Sequence, residues 1–261
     1  AVLRVGAEIA GAARTLSMRR AFDTVLLIAT ALVVWHGLHM IAPTALTSPA
    51  QTVARAVEML KTPTFWPHVV ETLTAFGYSL LFAFGGGLMI GLLLGLNRTG
   101  AKVADPILVS IYSLPKVTLY PVILLIFGLG MPAKVAFGTI HGIIPIAIFA
   151  MNAVRNLAPV YLKTARVLHL SRAETLRTIV IPAAIPEIVS GLRIGFSLTL
   201  LGVLIGEMFA SQRGLGYTIM NAIGLHDVPT IMAVILLLAI FAVLANALLL
   251  WLDHRLHHRA A

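Results

Sequence analysis

The sequence predicts an all-α integral membrane protein with about six transmembrane helices. Three observations carry that reading. Of its 261 residues 59% are hydrophobic and 11% charged, with a mean hydropathy of +0.96. A soluble domain carries about 25% charged residues, and the core of one such chain cannot absorb the apolar excess. The apolar residues also fall in runs of roughly 20 or more, the length a helix needs to cross a bilayer. Finally, the basic residues collect on one side of those runs.

Residues 1–22 form a basic N-terminal segment holding Arg4, Arg14, Arg19 and Arg20. The first apolar run, 23–41, is long for a signal-peptide core, and no A-x-A site follows promptly, so it reads as a retained span. His36 and His39 fall near its far interface. Within the polar connection 42–68, Pro49 opens AQTVARAVEMLK, whose apolar positions recur at helical spacing. That is the pattern of a short helix lying on the surface. The second span, 69–96, carries Gly87, Gly91 and Gly95. This small-xxx-small ladder allows another helix to approach closely, although Gly is common in membrane helices generally. Asn97–Lys102 reads as a tight basic turn. The third span, 105–128, is broken by Pro115 and Pro121. The turn GLGMPAK leads to a fourth, 133–154, with Pro145 inside it. The basic loop 155–182 precedes a fifth span, 183–209. A Gly-rich connection, SQRGLGYTIMNAIGLHD, precedes the sixth, 230–251. One transmembrane domain, 23–252, thus lies between the N-terminal segment and a tail, 253–261.

Charge placement orients this array. Segments 1–22, 97–104, 155–182 and 252–261 hold 13 of the 19 Lys and Arg. The opposite side holds Arg55, Lys61, Lys134 and Arg213, while Lys116 and Arg193 fall within spans. Positive residues stay cytoplasmic, so the bias predicts an even number of spans with both termini inside. The net charge of +9 then reflects topology and anionic lipid, with no nucleic-acid partner.

Several chemistries are excluded or unsupported. With no cysteine there is no disulfide, thiolate metal site or cysteine nucleophile. No G-x-x-x-x-G-K-[ST] is present, so the chain does not hydrolyse ATP by itself. There is no H-E-x-x-H and no close carboxylate pair. His254, His257 and His258 cluster at the tail, where a solvated basic end explains them better than a metal. No catalytic, cofactor-binding or metal-binding residue is expected.

The loop 155–182 carries the functional signal. Pro159 suits the first turn of a helix, because its missing N–H is not needed there. That helix runs to about Leu168. Ser171 and Glu174 have the spacing of a capping box, which starts a second helix at Ser171. Pro182 and Pro186 disturb the chain as it re-enters the membrane. Val160, Leu162, Val167 and Leu168 lie among polar residues, and such an amphipathic hairpin facing water invites a partner. A helix lying on the lipid surface is the alternative.

The same loop resembles that of permease subunits of ABC importers, with the pattern E-A-A, three residues, G, nine residues, I, one residue, L-P. Lys163-Thr164-Ala165 stands at E-A-A, His169 at the Gly, Ile179 at the Ile and Ile181-Pro182 at L-P. The spacing is complete, while four of the residues are substituted. The flanks SLPKVTLYPVILLIFGLG and PAAIPEIVSGLRIGFSLTLLGVLIGEMFASQRGLGYTI look like the nitrate/sulfonate/taurine branch, and the similarity spans about 45–258.

The resemblance implies a type I ABC importer permease fold in a bacterial inner membrane. It implies a coupling helix, residues 158–175, that docks on a cytoplasmic ATPase subunit. Pro159, Leu162, Lys163, Thr164, Ala165, Arg166, Leu168, His169, Ser171, Glu174 and Pro182 would form that loop. Two permeases, as a homodimer, and two ATPases would make the transporter, fed by a periplasmic or lipid-anchored binding protein. ATP and Mg would bind the ATPase and not this chain. The branch handles nitrate, sulfonates, taurine and some vitamin precursors. Lys163 in place of a carboxylate predicts an absent or reversed charge pair with the ATPase. His169 in place of Gly puts a residue where positive φ is less easily reached.

Ionisable groups inside spans are costly and usually face the protein interior. Lys116, between two prolines, forms a polar side with Tyr112, Ser113, Thr118 and Tyr120. These residues either line a solute path, with Lys116 favouring an anion, or Lys116 snorkels or pairs with Glu207. His141 either lines the path or bonds to a neighbouring helix. Glu207 lies near the outer end beside the Gly214–Gly216 turn, a candidate outer gate. Glu187 and Arg193 are expected near the cytoplasmic end, bracing the loop. An ion-coupled secondary transporter is the competing class; it should show paired broken helices in inverted repeats, and only one broken segment is visible.

Overall fold

The computed structural model describes the backbone of residues 2–260 and the side chains of residues 22–251, apart from those of Arg98, Leu162, Arg172 and Ala210. The basic side chains at 4–20, the Leu162 side chain and the tail histidines lie outside the described residues. No strand occurs among those described. The helices are α1 (Val2–Ile41), α2 (Pro49–Lys61), α3 (Trp66–Gly95), α4 (Arg98–Ser113), α5 (Tyr120–Phe127), α6 (Met131–Arg155), α7 (Pro159–Val167), α8 (Arg172–Thr175), α9 (Ile181–Ala210), α10 (Leu215–Gly224) and α11 (Val228–Ala260).

Among the described residues five stretches are long and apolar enough to cross a bilayer: Phe22–Ile41, Pro63–Gly95, Met131–Arg155, Ala173–Phe209 and Val228–Trp251. The remaining expected span is α4 and α5, bent by 81°. A proline pushes the residue before it toward extended backbone. Leu114, before Pro115, accordingly sits at φ −67, ψ 137 and ends α4. The expected turn at Asn97–Lys102 is instead the start of α4. The Asn97 side chain accepts the amides of Thr99 and Gly100, a cap that nucleates helix where the basic residues alone suggested a loop.

At the centre α3, α6 and α9 pack into a three-helix core. The glycine ladder makes the first contact. Cβ atoms at Gly87, Gly91 and Gly95 would lie 2.8, 2.5 and 2.7 Å from the carbonyl oxygens of Ile143, Ala147 and Met151. Each glycine therefore meets α6 backbone, at a step of four residues on both helices, where no side chain fits. Phe76 of α3 meets Phe196 of α9 edge to face at 4.8 Å, and Phe241 brings α11 against both.

Two helices outside the core are tied by polar contacts. The helix α2 begins at a capping box formed by Ser48 and Gln51. It buries Thr52, Ala56 and Met59, and Arg55 donates to Thr230 Oγ1 at the start of α11. The α1 span contributes nothing buried. It is held at one end, where Trp35 Nε1 donates to the Thr47 carbonyl and His39 Nδ1 lies 2.7 Å from the Leu46 carbonyl.

Candidate functional site

Two polar structures occupy opposite ends of the three-helix core. At one end α7, its corner and α8 form an elbow between α6 and α9. At the other, the α9–α10 turn is latched onto α3.

The elbow forms as local chemistry dictates. Pro159 opens α7, and Leu168 N–H bonds to the Thr164 carbonyl at the end of the helix. His169 then adopts φ +51, the left-handed conformation that a glycine would take most easily. His169 N–H reaches the Arg166 carbonyl and Leu170 N–H the Ala165 carbonyl, the bond pair of a Schellman corner. The next helix starts as expected. Ser171 N–H donates to Glu174 Oε2 at 2.8 Å, and Glu174 N–H to Ser171 Oγ at 3.3 Å. The His169 departure thus leaves the corner intact.

Beyond Glu174 the chain winds as a π-turn, Leu176–Val180, with Ile181 N–H bonded to the Leu176 carbonyl. Pro182 has no N–H to offer the preceding turn, and the wider register precedes it. Ala165 is buried under the elbow, while Lys163, Thr164, Arg166 and His169 are exposed. Val167 is 76% and Leu168 60% exposed, and Val160 and Tyr161 at the start of the same helix are exposed as well. Arg155, where α6 enters the elbow, pairs with Asp105 of α4 at 2.8 Å. The elbow therefore offers an apolar tip on a fixed base.

The broken segment divides the candidate path residues. Lys116 is buried; its Nζ donates to the Tyr112 carbonyl at 2.9 Å and lies 5.0 Å from the Tyr112 ring centroid. It does not pair with Glu207. Tyr112, Ser113 and Thr118 are exposed. The two hydroxyls of Ser113 and Thr118 donate to carbonyls of their own segment. Tyr120 points inward, its hydroxyl donating to the Gly206 carbonyl at 2.8 Å. His141 lies 2.8 Å from the carbonyl of Phe137 in its own helix, so its hydrogen bond is not to a neighbouring helix.

The latch centres on Glu207, which is fully buried. Thr72 Oγ1 lies 2.8–2.9 Å from both carboxylate oxygens, and Gly216 N–H donates to Oε2 at 2.9 Å. Leu215 N–H donates to the same Thr72 oxygen at 2.8 Å. A buried carboxylate is costly without donors, and these come from α3 and from the first turn of α10. Gly214, at φ +124, passes directly over the carboxylate, where a side chain would collide with it.

Beside the latch the buried Lys134 donates to Glu71 at 2.8 Å and to the Arg213 carbonyl at 3.0 Å. Together with Arg213 they line an open pocket of about 570 Å³. Thr72, Glu71 and Lys134 belong to no motif in the sequence. Their only signal is that each is a polar residue at the edge of an apolar run.

Arg193 is not at the elbow. It is the thirteenth residue of the thirty in α9, ~18 Å along the helix axis from Ile181. Glu187, six residues after Ile181, is exposed.

An all-helical membrane bundle with a projecting elbow is the architecture of an ABC importer permease subunit. The chain belongs to the family described as the binding-protein-dependent transport system inner membrane component, which matches residues 87–261. It is 29% identical over 237 residues to the taurine transport system permease protein of Escherichia coli (strain K12), covering 88% of this chain and 86% of that one. It is 26% identical over 242 residues to the nitrate import permease protein of Leptolyngbya laminosa, covering 89% and 86%. Among solved structures, an inward-facing MetNI methionine ABC transporter matches with a TM-score of 0.65 and 21% identity, covering 75% of this chain and 99% of that one. That similarity concerns the fold.

Proposed function

We propose that the chain is the pathway-forming half of an ATP-driven importer for a small organic or inorganic anion, such as a sulfonate, taurine or nitrate. A second copy completes the pathway. Two ATPase subunits dock on the elbows, and a substrate-binding protein delivers solute at the latch end. In this reading both termini and the elbow face the cytoplasm of a bacterium.

The observation that supports coupling most is the elbow. A Schellman corner and a capping box hold it in shape, while Val167 and Leu168 remain uncovered. Such a tip suits a cleft in a partner protein. Closure of the ATPases on ATP would push the elbow, and α6 and α9 would carry the motion toward the latch. Lys163, exposed where relatives of this type carry a carboxylate, would meet an acidic group on the ATPase.

Anion preference is supported by Lys116 and Arg193 within spans, and by the names of the taurine and nitrate relatives. The test is copurification with an ATPase subunit, followed by uptake into proteoliposomes of taurine, nitrate and a neutral vitamin precursor. Uptake of an anion that needs ATP and the binding protein is the expected result. Uptake driven by an ion gradient alone overturns the reading in favour of a secondary transporter.

A further inference from the structure

Midway along α9, a second pocket of about 320 Å³ opens between α4, α9 and α11, lined by Tyr112, Arg193, Ile194, Ser197, Leu198 and Asn246. Its polar groups suit one kind of ligand. Arg193 supplies a planar fork of N–H donors that matches oxyanion geometry. The Tyr112 hydroxyl, the Ser197 hydroxyl and the Asn246 amide can all donate. No carboxylate lines the pocket. Among the described residues no hydrogen bond or ion pair engages the Arg193 guanidinium or the side-chain polar groups of Tyr112 and Asn246. The Ser197 hydroxyl lies 3.4 Å from the Arg193 carbonyl, a long bond that a ligand can displace.

Depth narrows the source of the ligand. Arg193 lies ~18 Å of helix from Ile181 and ~21 Å from Glu207. Lipid headgroups lie at the ends of such a helix, outside a hydrocarbon core ~30 Å thick. An uncompensated guanidinium at this depth is expensive, and its presence marks a polar ligand or ion pathway. Lys116, held on Tyr112, adds a second positive charge on the neighbouring segment.

We propose that Arg193, with Tyr112, Ser197 and Asn246, forms a transit site for a small oxyanion midway through the membrane. This rests on the importer reading and assigns its substrate class to residues of the permease itself. Lys116 is a positioning residue here, since it reaches the pocket through Tyr112.

The chain has no cysteine, so Ser197→Cys gives one thiol in each permease copy, and labelling is read on the permease chain alone, against the unsubstituted transporter. The probes are 2-sulfonatoethyl methanethiosulfonate, itself a small sulfonate, and its 2-aminoethyl analogue, applied to the whole transporter in phosphatidylcholine liposomes. We expect the sulfonate reagent to label the introduced thiol faster than the ammonium reagent by about tenfold, after correction for their rates on free thiol. Arg193→Gln should erase that preference, and Arg193→Lys should retain part of it. ATPase activity of the complex checks folding and assembly of each variant. Labelling needs no turnover, so its outcome is separate from whether uptake proves to be ATP-driven. The proposal is overturned if the introduced thiol is unreactive both at rest and with vanadate-trapped nucleotide, or if Arg193→Gln leaves the preference unchanged. It is also overturned if phosphatidylglycerol abolishes sulfonate labelling, since the site would then hold a lipid headgroup.

Discussion

Thr72 donates its hydroxyl to the Glu207 carboxylate at 2.8–2.9 Å while its oxygen accepts the Leu215 amide, so one side chain of α3 holds both the end of α9 and the start of α10. Thr72→Val keeps the shape but removes donor and acceptor together. A buried polar group left without its partner costs about 1–3 kcal/mol. The variant should unfold at a lower temperature and release the α9–α10 turn. Hydrogen exchange at Leu215 and Gly216, compared with wild type, checks this. Thr72→Ser, which retains the hydroxyl, should stay close to wild type.

The glycine ladder predicts a position-specific cost. At Gly91 a methyl group would sit 2.5 Å from the Ala147 carbonyl oxygen and 2.6 Å from Ala150 Cβ, so the helices must separate. Gly91→Ala should destabilise by about 1–3 kcal/mol, as overpacking does. Gly85→Ala meets open space on the same helix and should be neutral or better. Thermal unfolding of the two variants in detergent decides it.

His169 at φ +51 predicts an inverted pattern of tolerance. His169→Gly should preserve the elbow and relieve roughly 1 kcal/mol of backbone strain. His169→Val should lose ATPase docking, because a β-branched residue resists this conformation. Copurification yield of the ATPase with each variant is the readout.

The clasp between α2 and α11 gives a pH dependence. Burial opposes ionisation of Asp227, but hydrogen bonds from the Thr230 hydroxyl and amide and the nearby Arg55 guanidinium outweigh it, holding the carboxyl below its ordinary value of 3.8. A depressed carboxylate contributes stability above its unfolded pKa and loses it as pH falls through the folded value. Wild type should therefore unfold at a higher temperature than Asp227→Asn at pH 7, by a small margin because the group is still partly exposed and solvent screens the pair. The margin should vanish only below about pH 3.8.

What is legible in the sequence is local. Ser171 and Glu174 are three residues apart, and their capping box follows from spacing alone. The α4–α5 break follows from Pro115 and Pro121, and the helix pairing surface from Gly87, Gly91 and Gly95. The latch is not legible as a network, because Thr72 and Glu207 are 135 positions apart and Lys134 and Glu71 are 63 apart. Asn97 reads as part of a turn because basic neighbours mask its capping role. Spacing alone puts Arg193 too near the elbow, because its depth depends on how the π-turn runs into α9.

The central claim is that the elbow transmits the work of an ATPase to the spans. Binding-protein-stimulated ATP hydrolysis and uptake, measured together in proteoliposomes with Val167→Asp and Leu168→Asp in one chain, test it most directly. Both residues are exposed, so the permease should fold and insert as wild type does. The account predicts that ATPase docking and ATP-driven uptake are lost together. Uptake that continues at the wild-type rate with these two residues charged contradicts it.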